Sequence, residues 1–173
     1  MGEQRPRVAQ QQQIFECVSH SPAQTARIGQ RLGELLQRGD LLLLLGEFGA
    51  GKTHFAKGIA QGLGSPDLVN SPSFVLVNEY RAGAAHAYLP IYHVDLYRLE
   101  DAREISGIGL EEIAASDGIC MIEWGQRAGD WLPAERISVS LSYLSDTKRT
   151  IRFEPYGTRA IAVVAQLKRL ILG

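Results

Sequence analysis

An α/β fold built on a mixed parallel and antiparallel sheet is predicted by three features of the sequence. Leu41–Leu45 is apolar at every position, which is typical of a parallel strand covered on both faces. Residues 46–51 follow as a glycine-rich loop and lead into a helical pattern over residues 52–63. Later strand candidates come in pairs separated by short loops, as in hairpins. We therefore expect a three-layer sandwich with helices on both faces of the sheet.

The other elements are predicted from hydrophobic periodicity and turn residues. A first strand is expected over residues 14–19, and a helix over residues 25–37 with Ser21 and Pro22 as its start signal. Further on we expect strands over residues 74–80 and 89–97, a short helical segment over 101–113, a strand over 118–123, a hairpin of strands over 137–144 and 150–153, and a closing helix over 158–172.

Length and charge limit the classes of protein to consider. A chain of 173 residues is long enough for one well-buried core, so residues 14–173 are expected to form a single domain after a disordered polar leader of residues 1–13. Eighteen basic against 19 acidic residues give a net charge of −1, which predicts no global attraction to nucleic acid or membranes. Without an 18-residue apolar span or a signal peptide, a cytoplasmic protein is expected. Cys17 and Cys120 lack metal-site spacing and are expected to be reduced core residues.

Residues 46–53, Gly-Glu-Phe-Gly-Ala-Gly-Lys-Thr, match the pattern G-x-x-x-x-G-K-[ST] in full. In this motif the backbone N–H groups of the loop converge on a triphosphate, Lys52 reaches the β and γ oxygens, and Thr53 offers its hydroxyl to Mg²⁺. The motif predicts a P-loop NTPase fold. No Asn-Lys-x-Asp element follows, so guanine selectivity is not expected. The remaining expected nucleotide contacts within the loop are Glu47, Phe48, Gly49, Ala50 and Gly51.

Two carboxylates on predicted strands are the next candidates for functional residues. Glu123 ends the apolar run of residues 118–123, where P-loop NTPases place a second contact to Mg²⁺ or to water. Asp95 lies on a strand of aromatic and aliphatic residues, where a carboxylate costs energy unless a cation or a donor meets it. The structural alternative for Asp95 is an ion pair with Arg98 or a hydrogen bond from a turn. The structural alternative for Glu123 is an exposed strand end. His93 is expected to be a structural imidazole.

Weaker sequence signals indicate a candidate switch segment and candidate contacts to the nucleotide base. Ser73 lies in Ser71-Pro72-Ser73-Phe74 after the predicted loop helix, where a switch segment could bring a hydroxyl to Mg²⁺ or the γ-phosphate. Ser-Pro-Ser is also an ordinary strand-entry turn. Thr25, before the first helix, and Lys148, in the late hairpin, are candidates for the adenine pocket.

Several segments together resemble one family in their order and spacing. They are the loop of residues 46–53, Ser71-Pro72-Ser73-Phe74, Tyr92-His93-Val94-Asp95-Leu96-Tyr97-Arg98, residues 107–111 and Ile122-Glu123-Trp124. This set is similar to the bacterial TsaE (YjeE) ATPases, and the Tyr-His-x-Asp-Leu-Tyr-Arg string is its most specific part. The resemblance implies an ATP- and Mg²⁺-dependent role in forming N6-threonylcarbamoyladenosine at adenosine 37 of tRNAs that read ANN codons. It implies work with the TsaD–TsaB pair, which transfers the threonylcarbamoyl group, and hence an indirect relation to tRNA.

The same resemblance assigns roles to individual positions. Lys52 and Thr53 match the phosphate and Mg²⁺ residues of the loop, and Asp95 matches the essential strand aspartate of the family. Glu123 and Trp124 match its Walker B-like element, and Ser73 stands where the family usually has threonine. The implied catalytic set is Lys52, Asp95 and Glu123, and the implied metal ligands are Thr53, Asp95 and Glu123.

Two other functions are compatible with the motif. One is a nucleotide-gated binding module, in which ATP sets partner affinity and hydrolysis is incidental. The other is a small-metabolite kinase, which requires an acceptor pocket and an arginine-bearing lid that excludes water. The segment over residues 98–103 is too acidic to be a convincing lid.

Overall fold

The computed structural model of the chain describes residues 13–70, 72 and 77–173, and the predicted leader falls almost wholly outside them. Within these residues the strands are β1 (Phe15–Ser19), β2 (Leu41–Leu45), β3 (Val77–Arg81), β4 (Pro90–Asp95), β5 (Ile119–Glu123), β6 (Arg136–Tyr143) and β7 (Arg149–Tyr156). The α-helices are α1 (Pro22–Gly33), α2 (Lys52–Gly62), α3 (Leu110–Ala115) and α4 (Thr158–Leu172). Short 3₁₀ helices cover Ala84–His86, Ala102–Ile108 and Gly125–Trp131.

The seven strands form one mixed sheet in the order β1-β7-β6-β2-β5-β4-β3. The central pairs β6–β2, β2–β5 and β5–β4 are parallel, and the outer pairs β1–β7, β7–β6 and β4–β3 are antiparallel. The all-leucine strand β2 therefore lies at the centre, as its lack of polar residues predicted.

Alternate side chains of the central strands enter two separate hydrophobic cores. Leu42 and Leu44 of β2 pack on one face with residues of α1, α2 and α4. Leu41 and Leu43 pack on the other face with residues from the Ala102–Ile108 helix, α3 and the last 3₁₀ helix. The helix–sheet–helix sandwich predicted from the sequence is confirmed.

Two helical predictions had wrong boundaries. Helix α1 begins at Pro22 instead of residue 25, because Ser21 caps it by accepting the N–H of Gln24, and it ends at Gly33. The predicted helix over residues 101–113 is instead a 3₁₀ helix followed by α3, divided at Gly109, whose positive φ of 71° breaks the helical path.

The hairpins are present, with shifted ends. Strand β3 pairs with β4 as predicted, and residues 74–76 of the expected strand lie outside the described residues. Strand β4 stops at Asp95, two residues before the predicted end. Strand β7 runs from Arg149 to Tyr156 and is twice the expected length, pairing with β6 throughout.

Helices α1 and α2 pack so closely that glycine is required at their contact. A Cβ built at Gly58 of α2 would collide with the carbonyl oxygen of Ala26 of α1, and one at Gly33 would collide with that of Ile59. This contact fixes the helix that follows the glycine-rich loop.

We expect Gly58→Ala to destabilise the fold by about 2 kcal/mol or more, because the helices would have to separate. The corresponding fall in melting temperature is roughly 4–8 °C for a domain of this size. Gly107→Ala is the control, since a Cβ there meets nothing within 4 Å. Equal melting temperatures for the two variants in a thermal scan would contradict this packing account.

Across the described ranges, no helix is both long and apolar enough to cross a membrane. Cys17 lies half-buried in β1 and Cys120 is buried in β5, with strands β7, β6 and β2 between them. Burial raises the pKa of the Cys120 thiol to about 12. The neutral thiol is therefore the form that packs in the core.

Candidate functional site

The glycine-rich loop of residues 46–51 joins the carboxyl end of β2 to the first turn of α2. Gly49 and Gly51 have positive φ angles of 74° and 105°, a conformation that favours glycine. The N–H groups of Gly49, Gly51, Lys52 and Thr53 have no hydrogen-bond acceptor among the described residues. Free N–H groups at a helix start fit the phosphates of a nucleotide.

A cleft of about 280 Å³ opens at this loop. Its lining residues are Phe48, Gly49, Gly51, Lys52, Thr53, His54, Asp95, Glu123 and Trp124. The cleft brings together most of the residues predicted from the sequence, although they come from three separate parts of the chain. A larger cavity of about 650 Å³ beside β3 contains none of them.

Strand register places the two carboxylates side by side. Asp95 ends β4 and Glu123 ends β5, and the two are direct partners in the parallel pairing. Glu123 is also the partner of Leu44 in β2, immediately before the loop. Because carboxyl ends of parallel strands share one edge of a sheet, both acids meet the phosphate loop.

Lys52 is 7% exposed and lines the cleft. Its Nζ donates to the carbonyl oxygens of Gly46 at 2.6 Å and Glu47 at 3.0 Å, and it lies 5.0 Å from the centroid of the Trp124 ring. Burial lowers the pKa of the Lys52 ammonium from its usual value, while the carboxylates of Glu123 and Asp95 oppose that shift. The ammonium is therefore held among acceptors it could exchange for phosphate oxygens.

Glu123 is 3% exposed and is bonded to a fully buried histidine. His93 Nε2 lies 2.9 Å from Glu123 Oε1, and the His93 Nδ1 atom has no hydrogen-bond partner within the described residues. Since a carboxylate only accepts, the tautomer with the proton on Nε2 satisfies both groups and leaves no buried N–H unpaired. His93 is structural, as predicted, and it also orients Glu123, which the sequence did not indicate.

Asp95 is less enclosed. Its Oδ1 accepts the backbone N–H of Tyr97 at 2.9 Å. Burial raises the pKa of the Asp95 carboxyl, and the hydrogen bond from Tyr97 opposes that shift. Asp95 lines the cleft beside Glu123.

Three aromatic rings border the cleft beside these acids. The centroid of Phe48 lies 4.7 Å from that of Tyr97 and 5.3 Å from that of Trp124, and Tyr97 and Trp124 are 5.1 Å apart. Phe48 is 64% exposed although it belongs to the loop. The rings form an apolar rim on the side of the cleft where Asp95 and Glu123 lie.

Some predicted residues lie elsewhere. Thr25 is buried behind the loop, where its hydroxyl pairs with that of Ser19 at 2.7 Å, so it does not line the cleft. Ala50 is buried and Glu47 is exposed, and neither is among the residues that line the cleft. Ser73 lies outside the described residues.

The hairpin of β6 and β7 contributes residues that the sequence did not single out. Tyr143 and Arg149 are cross-strand partners near its turn, and both donate to carbonyl groups of the loop. No motif marks them, and they lie about a hundred positions from the loop. Only the strand order, which puts β6 next to β2, brings them there.

The side-chain oxygens in the cleft fit an Mg²⁺ ion that is also bound by the phosphates of a nucleotide. Within the described residues no cluster of three or more histidine, cysteine or acidic side chains could hold a metal by itself. Mg²⁺ typically uses one or two protein oxygens along with phosphates and water. Thr53 with one or both of Asp95 and Glu123 provides such a set.

Comparisons with known proteins agree with the sequence resemblance. The family model described as "Threonylcarbamoyl adenosine biosynthesis protein TsaE" matches residues 19–151. The protein "tRNA threonylcarbamoyladenosine biosynthesis protein TsaE" of Treponema pallidum is 42% identical over 137 residues, which are 79% of this chain and 98% of that protein. The protein of the same name from Bacillus subtilis is 38% identical over 149 residues, 86% of this chain and 90% of that protein.

A solved structure extends the agreement to the fold. The crystal structure of Bacillus subtilis YdiB superposes with a TM-score of 0.78 at 32% identity, covering 91% of this chain and 96% of that one. The family model, the sequence relatives and the fold agree on one family. The chain belongs to the TsaE family of threonylcarbamoyl adenosine biosynthesis proteins.

Proposed function

We propose that this chain is an ATPase that binds ATP with Mg²⁺ in the cleft at the phosphate loop, and that it serves the TsaD–TsaB pair as an accessory subunit in tRNA threonylcarbamoyladenosine formation. One observation carries the proposal. Lys52, Thr53, Asp95 and Glu123 converge in a single cleft beside N–H groups that have no acceptor among the described residues. In this account the protein acts in the cytoplasm and its relation to tRNA is through its partners.

The chain's own residues would share the work of hydrolysis. The loop N–H groups and Lys52 bind the β- and γ-phosphates, and Lys52 gives up its two carbonyl acceptors to do so. Glu123, held by its hydrogen bond to His93, would orient the attacking water directly or through Mg²⁺. Asp95 beside it would supply a second acceptor. Mg²⁺, when bound, would neutralise charge on the phosphate oxygens.

A nucleotide-gated binding module is the second candidate function. The observation that favours it is the rim of Phe48, Tyr97 and Trp124, in which Phe48 and Tyr97 are exposed. A nucleotide that moved Phe48 or Trp124 would change the shape of this surface without being hydrolysed. A metabolite kinase has no comparable support, since Arg103, within the lid candidate, is paired with Asp101 in the described structure.

Asp95→Asn separates hydrolysis from gating. The amide keeps the size of the side chain and can still accept the Tyr97 N–H, so folding should be nearly unchanged. We expect ATP turnover to fall about tenfold or more, the scale of a lost transition-state contact. Threonylcarbamoyladenosine formation, reconstituted with TsaD- and TsaB-type proteins, should be lost even where partner binding survives.

If the Asp95→Asn chain hydrolysed no ATP and still supported full tRNA modification, ATP would act only as a ligand, as in the nucleotide-gated binding module. A markedly lower melting temperature would assign Asp95 a structural role instead. Wild-type chain without partners controls for intrinsic turnover.

Thr53→Ala should act through the metal. Loss of the hydroxyl removes one oxygen ligand while the loop and Lys52 stay in place, so turnover should fall and be partly restored by raised Mg²⁺. Titrating Mg²⁺ at saturating ATP measures this shift. A defect independent of Mg²⁺ concentration would exclude a metal role for Thr53.

A further inference from the structure

All five carbonyl groups of residues 46–50 have donors within the described structure. Lys52 covers those of Gly46 and Glu47 from inside the loop. The other three are covered from outside, by the hairpin of β6 and β7: the Tyr143 hydroxyl donates to Phe48 O at 3.0 Å, and Arg149 donates to Gly49 O at 3.3 Å and Ala50 O at 3.0 Å.

This pattern orients the peptide groups of the loop. A carbonyl held outward turns the N–H of the following residue toward the opposite side. The held carbonyls of Phe48 and Ala50 therefore leave the N–H groups of Gly49 and Gly51 free for a ligand, whereas Ala50 N–H is bonded to Glu47 O within the loop. Gly49 is part of the same fit, because a Cβ there would lie 2.5 Å from the Tyr143 hydroxyl oxygen.

The two hairpin residues also hold each other. Tyr143 and Arg149 are direct cross-strand partners, and the guanidinium carbon lies 4.1 Å from the centroid of the tyrosine ring. Arg149 further donates to the carbonyls of Ser145 and Lys148 in the turn. A donor set fixed in this way needs little reordering when it meets the loop.

The geometry points to Tyr143 and Arg149 as positioning residues that keep the phosphate loop in its binding shape before nucleotide arrives. Their consequence for nucleotide affinity rests on the proposed function, whereas their effect on the empty loop does not. They do not touch the nucleotide in this account, and act through the loop backbone.

A matched control lies at the other end of the same hairpin. Arg136 and Tyr156 are also cross-strand partners, with the guanidinium carbon 4.2 Å from the ring centroid. The Tyr156 hydroxyl donates to Glu154, at a distance along the strands from the loop. Tyr156→Phe and Arg136→Lys therefore repeat the chemical changes without touching residues 46–50.

The first measurement uses the chain without nucleotide. The N–H groups of Ala50 and Phe55 are bonded to Glu47 O and Gly51 O, so their hydrogen exchange reports on loop opening. Tyr143→Phe should speed exchange at both positions by about three- to tenfold, the effect of one lost hydrogen bond. Tyr156→Phe should leave them unchanged, and neither variant should lower the melting temperature by more than about 2 °C.

The second measurement is binding of Mg-ADP and turnover of ATP. Tyr143→Phe should raise the ADP Kd and the ATP KM by about three- to tenfold while kcat changes less than about twofold, because bound nucleotide restores the loop shape. Arg149→Lys keeps the charge and loses the fork of donors. If the contact depends on the geometry of these donors, Arg149→Lys should be nearly as defective in nucleotide binding as Arg149→Gln.

The outcomes are distinct. Wild-type exchange rates at Ala50 and Phe55 in Tyr143→Phe would overturn the inference. It would also be overturned if Arg149→Lys bound nucleotide with wild-type affinity and only Arg149→Gln were defective, because that result indicates attraction by charge alone. A wild-type chain that binds no nucleotide would contradict the proposed function, and the exchange measurement on the empty loop would still decide the role of Tyr143.

Discussion

Lys52→Ala should reduce ATP hydrolysis by about a hundredfold or more, the cost of removing a charged donor from developing phosphate charge. The change also leaves the carbonyl of Gly46 without its donor and that of Glu47 with only the Ala50 N–H, so nucleotide affinity should fall as well. Phosphate release under saturating ATP and calorimetric binding of ADP measure the two effects separately.

The control for this substitution is Lys57→Ala, on the same helix but outside the cleft lining. It should hydrolyse ATP like the wild type. If Lys52→Ala did so too, the cleft at residues 46–53 would not be a phosphate site.

Glu123→Gln should bind ATP with nearly wild-type affinity and hydrolyse it about a hundredfold more slowly. Glutamine keeps the volume and can still accept the hydrogen bond from His93 Nε2, so the buried pair is not broken. Only the negative charge that would orient water or metal is lost. Gel filtration after incubation with labelled ATP should recover the chain with uncleaved nucleotide.

His93→Leu is the companion to this variant. It removes the donor and leaves the buried Glu123 carboxylate unpaired, which should lower both the melting temperature and turnover. Equal loss of affinity and turnover in Glu123→Gln would identify Glu123 as a structural carboxylate.

The parts predictable from sequence are those whose residues are adjacent in the chain. The strand β2, the loop and α2 form one continuous segment, so a motif and a hydrophobic run define them together. Glu123 was indicated by its place at the end of an apolar run, and Asp95 by the cost of a carboxylate within an apolar strand. The parallel pairing of β4 with β5 places the two side by side.

What the sequence could not indicate depends on distant pairing. Tyr143 and Arg149 reach the loop only because β6 lies beside β2, and neither residue type carries a pattern by itself. The bond from His93 to Glu123 joins residues 30 positions apart through the register of β4 and β5. Thr25 stays a prediction as a base contact, and its hydroxyl pairs with that of Ser19, a bond that no sequence pattern indicated.

Single-turnover hydrolysis of ATP by the full chain with Mg²⁺, with and without the TsaD–TsaB pair, tests the ATPase account most directly. The account predicts that each chain releases phosphate from its bound ATP, and does so faster when the pair is present. ATP that stays bound and uncleaved while the complete system modifies tRNA would contradict it.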